Sequence, residues 1–167
     1  MDLIIEFINW TKESNWSIIS EKNDINKSFD NGIQKFSIPA DYRIFLENIK
    51  ICTNEEQTEW FLCINDYLEE SRSSFIWDEY KNMCLQYPWN EEDDIKYYFQ
   101  KIFPIIINVN SKYNFFGNFK YYGINIETNE IVVGYGLGKG EDIDDIKVVS
   151  NSFEMFLTSI INGKILI

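Results

Sequence analysis

Phe119-Lys120-Tyr121-Tyr122-Gly123-Ile124-Asn125-Ile126, then Glu127-Thr128-Asn129, then Glu130-Ile131-Val132-Val133-Gly134-Tyr135 is the stretch that decides the fold. Two runs rich in aromatic and β-branched residues flank a short polar turn, which is the pattern of a β-hairpin. Outward from it, Phe103 to Val109 and Ile146 to Val149 have the same strand composition and are set off by polar loops. Beyond the last of these, Phe153, Phe156, Leu157, Ile160 and Ile161 recur at i, i+3, i+4, i+7 and i+8, the stripe of an amphipathic helix. Asn151, with Glu154 three residues later, gives that helix a start resembling a capping box, and Gly163 stands where a C-terminal glycine ends one.

The first half reads differently. Leu3, Ile4, Phe7 and Ile8 have helical spacing, and the polar run from Asn23 to Gln34, with Gly32, reads as a loop. A second helix is predicted from Pro39, whose missing N–H costs nothing in a first turn, with Asp41 favouring the positive end of the helix dipole. Ile38, Tyr42, Phe45, Leu46 and Ile49 form its apolar stripe, and Trp60 to Ile64 is a short buried strand. Phe75 to Tyr87 is predicted helical and stopped by Pro88; Asn90 then caps a further helix with Glu91, Glu92, Asp93 and Asp94 in its first turn. Helices early, an antiparallel meander late and a closing C-terminal helix indicate an α+β fold. The expected architecture is a single domain over residues 1–167, with an acidic helical insert at 66–94. Its sheet is expected to be mixed, mostly antiparallel, with about five or six strands flanked by helices.

Composition narrows the chemistry. Histidine is absent, which removes Ser-His-Asp and Cys-His triads, histidine metal sites and the usual general base near neutral pH. Cys52, Cys63 and Cys84 lie far apart among apolar neighbours and form no C-x-x-C pair, so they are expected to be buried free thiols. Gly134, Gly136, Gly138, Lys139 and Gly140 fail as a phosphate loop. Gly140 follows Lys139 in place of Ser or Thr, and Glu141, Asp142, Asp144 and Asp145 would repel phosphate. The same acids lack the spacing of a calcium loop. Neither cofactor nor metal is expected.

The chain carries 27 acidic and 15 basic residues, a net charge of −12. Between Asp41 and Asp94 there are 14 acids against four bases (Arg43, Lys50, Arg72 and Lys81), so this stretch holds −10 of that total. Such a field repels nucleic acid and anionic membrane and steers basic partners inward. These carboxylates are expected to gather on one face. No apolar run approaches the roughly 20 residues of a membrane span, and the first residues lack a signal-peptide pattern, so a soluble cytoplasmic protein is expected.

Three segments together carry a family likeness. Ile38-Pro39-Ala40-Asp41-Tyr42-Arg43-Ile44-Phe45-Leu46, Phe103-Pro104-Ile105, and Tyr121 to Ile126 with Glu130-Ile131-Val132 and Ser152-Phe153-Glu154-Met155-Phe156-Leu157 resemble, in order, the segments of the SUKH superfamily. Two departures stand out: Asn48-Ile49-Lys50 replaces that family's usual Asn-Gly after the first of these helices, and the acidic insert is long. The resemblance implies a mixed sheet flanked by helices and a role without catalysis. Many bacterial members of that family are immunity proteins that neutralise a toxin, often a nuclease, and others regulate cell-wall synthesis through protein contacts.

The leading expectation is therefore a basic protein partner, a toxin domain, with no nucleic acid and no membrane. Glu55, Glu56, Glu59, Asp66, Glu69 and Glu70 would supply the charge, and Trp77 is the first aromatic anchor, followed by Tyr80, Tyr87 and Trp89. The alternatives are a regulatory or scaffold module with no toxin partner and, last, a hydrolase using two carboxylates.

Overall fold

Asp2 starts the first helix, α1 (Leu3–Glu13), by accepting a hydrogen bond from the Ile4 N–H at 3.0 Å, which satisfies one of the orphan donors of the first turn. The computed structural model describes residues 2–25, 37–67, 85, 93, 99–109, 120–135 and 146–167. Ile4, Phe7 and Thr11 form the buried side of α1. Asn15, at φ 59°, then turns the chain back into β1 (Trp16–Ser20). Asparagine tolerates that left-handed geometry better than most residues.

The second helix, α2 (Ala40–Asn48), buries Tyr42, Phe45 and Leu46 as its spacing requires. It passes into β2 (Ile49–Asn54) with no linker, because Ile49 already has the extended backbone, φ −120° and ψ 124°. β3 (Glu59–Phe61) is shorter than the expected strand to Ile64. The Asp66 carboxylate takes the Cys63 N–H at 2.7 Å and draws the chain into a 3-10 turn over Ile64–Tyr67. β4 (Ile102–Asn108), β5 (Lys120–Asn125), β6 (Ile131–Tyr135) and β7 (Lys147–Ser150) follow, and α3 (Phe153–Ile161) closes the described chain. The helices expected at Phe75 to Tyr87 and after Asn90 fall almost wholly outside the described residues, as does most of the acidic insert.

The fold is α+β, built on one seven-stranded sheet whose order, β1 to β7, repeats the order of the chain. Every described pairing is antiparallel, in line with the mostly antiparallel sheet expected, and the strands number seven rather than about five or six. The added strands are β1 and β2. Between β5 and β6 the turn forms as the sequence suggests: Asn129 adopts φ 63° and its N–H meets the Asn125 carbonyl at 2.7 Å. The start of α3 needs a smaller correction. Its cap is Ser152, whose hydroxyl accepts from the Met155 N–H at 3.2 Å, rather than Asn151.

Aromatic rings weld the helices to one sheet face. Phe61 of β3 meets Phe7 of α1 at 5.1 Å and Phe45 of α2 at 5.7 Å; Phe153 of α3 meets Tyr42 at 4.8 Å, and Phe156 meets Tyr122 of β5 at 5.0 Å. Such tilted and edge-on pairs add stabilisation beyond their buried area. β4 is buried along its whole length, hence on both faces. At the centre, the Tyr42 hydroxyl bonds the Leu62 carbonyl at 2.7 Å and the Tyr67 hydroxyl at 2.5 Å, and Tyr67 reaches the Pro104 carbonyl at 3.2 Å. These bonds join α2, the 3-10 turn and β4. Among the described residues no helix is long and apolar enough to cross a membrane.

Candidate functional site

The turn between β2 and β3 is organised from beneath by Asn54. Its side-chain oxygen accepts from the N–H groups of Thr58 at 2.8 Å and Glu59 at 3.0 Å, and its amide donates to the Thr58 hydroxyl at 2.9 Å. Gln57 adopts φ 54° at the tip, and its N–H closes the turn on the Asn54 carbonyl at 3.1 Å. The Glu55 N–H donates to the Asn15 carbonyl at 3.2 Å, so the turn leans on the end of α1. Glu55 and Glu56 are left exposed on this scaffold, and among the described residues no cation pairs with either.

Glu59 has a different setting. It lies in a row across three strands, opposite Asn108 of β4, which in turn lies opposite Lys120 of β5. The Asn108 amide donates to the Glu59 carboxylate, and both Asn108 and Lys120 are buried. Lys120 donates to the Leu166 carbonyl at 3.0 Å and its ammonium stands 4.8 Å from the centre of the Tyr122 ring. Burial pushes the Glu59 carboxyl above its ordinary range, against the attraction of Lys120 and the Asn108 hydrogen bond, and nearby Glu56 adds to the rise. Burial likewise lowers Lys120, with Glu59 opposing. Asn108 and Lys120 were not singled out from sequence. Their signal was a polar residue at the end of an otherwise apolar strand, a pattern that solvent-exposed strand ends also produce.

The other expected partner-binding residues divide. Asp66 is turned inward onto the Cys63 N–H. Asp41, at the start of α2, accepts from its neighbour Tyr42 N–H and from the Glu154 N–H at the start of α3, each at 2.9 Å. Glu69, Glu70 and Trp77 lie outside the described residues, as do Tyr80, Tyr87 and Trp89. Of the acids in the 41–94 stretch that the structure describes, Asp41, Glu59 and Asp66 engage the protein's own groups, whereas Glu55, Glu56 and Asp93 are exposed and Glu47 is half-buried.

Among the described residues, no group of three histidine, cysteine, aspartate or glutamate side chains is placed to hold a metal ion. Cys52 and Cys63 are buried free thiols, pushed well above their ordinary range by burial, hence protonated and poorly nucleophilic. Cys84 lies outside the described residues, as does the glycine-rich run beyond Gly134. No protein-family model, no curated protein and no solved structure matches this chain.

Proposed function

We propose that this chain is a non-catalytic protein-binding domain of the SUKH kind, an immunity protein that neutralises a basic toxin domain such as a nuclease. The observation that carries the reading is the exposed, unpaired Glu55–Glu56 turn on a chain of net charge −12. A nuclease presents cations to phosphate, and carboxylates held on a firm turn compete for those cations while speeding encounter. The absence of histidine and the ordered SUKH-like segments support the same reading.

Co-expression with a basic toxin domain, sought in the neighbouring reading frame, tests it. Growth is expected to be restored, and the association rate is expected to fall several-fold in the Glu55→Gln/Glu56→Gln variant and to lose much of its salt dependence. Undiminished toxicity in the presence of folded protein refutes the immunity role.

A further inference from the structure

We infer that the acidic partner surface continues from the β2–β3 turn along α1 into a groove against α3, and that this groove takes a basic amphipathic segment of the partner protein. Glu6, Asn9, Trp10 and Glu13 recur at i, i+3, i+4 and i+7 on α1 and line the groove with Ile161 of α3. Its floor is apolar and fixed. The Trp10 ring stacks on Phe7 at 5.5 Å and leans on Trp16 at 5.7 Å, and Ile161 packs against the core. Tryptophan is enriched among binding hot spots, and a rigid, part-buried one loses little side-chain entropy on contact.

The rims carry charge of one sign. Among the described residues no cation pairs with Glu6 or Glu13. These two carboxylates are seven residues apart on one helical stripe, about 10 Å along the axis at about 1.5 Å per residue. The turn already described touches the end of this helix, because the carbonyl of Asn15, two residues beyond α1, accepts the Glu55 N–H. Charge complementarity therefore selects the occupant: a helical segment with Lys or Arg two turns apart and an apolar side chain between them, laid over Trp10. An anionic or uniformly polar segment would leave both the carboxylates and the indole uncompensated.

This inference rests on the reading of the chain as a binder of basic protein, and the test separates the two. The probe is a synthetic helical peptide with lysines at i and i+7 and leucine at i+4, compared with a scrambled peptide of the same composition. Titration into the whole chain is followed by amide chemical shifts and by calorimetry. The matched peptide is expected to shift the amides of residues 6–13 and of Ile161, and to bind E6Q/E13Q about tenfold more weakly, with E55Q/E56Q affected less. Glu13 is exposed and Glu6 half-buried, and neither change alters the Phe7 or Trp10 rings. Equal binding of the scrambled peptide, or an unchanged affinity in E6Q/E13Q, overturns the groove. If E55Q/E56Q alone weakens binding, the groove fails and the basic-partner reading stands. If neither peptide binds at low salt, both fail.

Discussion

Asp41 ties together the starts of two helices distant in sequence. One carboxylate oxygen accepts from the Tyr42 N–H in α2 and the other from the Glu154 N–H in α3, where both helix dipoles favour negative charge. Pro39 offers no side-chain cap, so this carboxylate takes over that role and adds a tertiary link. Asp41→Asn, which keeps one good acceptor and sets an amide against the other N–H, is expected to destabilise the fold by about 1–2 kcal/mol, and Asp41→Ala by at least as much. Urea unfolding measures this as a lower midpoint with an unchanged slope. An unmoved midpoint in both variants would show that the link contributes nothing. The sequence placed Asp41 in a first helical turn; its second partner, Glu154, is too remote for any local pattern to reveal.

At the scale of elements, close approach of β5 to β6 depends on a missing side chain. A Cβ added at Gly134 would lie 2.2 Å from the ring of Tyr121, its cross-strand neighbour. Gly134→Ala is expected to cost about 1–3 kcal/mol, because the buried ring must move. In a Tyr121→Leu background the same substitution is expected to cost much less, a coupling that a double-mutant cycle reads directly. Additive effects would mean that the ring is not what excludes the methyl group. Strong periodicity made α1, α2, α3 and the β5–β6 hairpin legible. β1 and β2 were not, for identifiable reasons. Ser17-Ile18-Ile19-Ser20 lacks clean alternation on an edge strand, and Ile49 continues the i+3, i+4 spacing of Phe45 and Leu46 although the helix has ended at Asn48. Side-chain spacing alone does not register where the backbone turns extended.

Proton linkage is a property of the whole molecule, and the Glu59 row gives it a definite sign. The folded Glu59 carboxyl titrates above its ordinary value of 4.5, so the native state keeps a proton that the unfolded chain has lost. Stability contributed by this group therefore falls as pH rises from the ordinary value through the raised folded one, and the penalty is complete above it. Glu59→Gln is expected to remove that part of the pH dependence, seen as a flatter profile of urea midpoint against pH through the weakly acidic range. Parallel profiles for the two proteins would contradict the burial described for Glu59. The candidate site was legible to the same partial degree. Glu55 and Glu56 stand out as charge beside a turn, whereas the Glu6–Trp10–Glu13 stripe could be read only as one helix among several until α3 was seen to wall it.

The strand order has a further consequence for assembly. Each ladder joins neighbours along the chain, so a growing polypeptide can lay down the sheet ribbon by ribbon, every new strand meeting an edge already finished. Between neighbouring strands the longest stretches of chain are 21–48, which holds α2, and 62–101 between β3 and β4. Much of the remaining entropy of long-loop closure then falls on α3, which must travel back across the finished layers to reach α1 and α2.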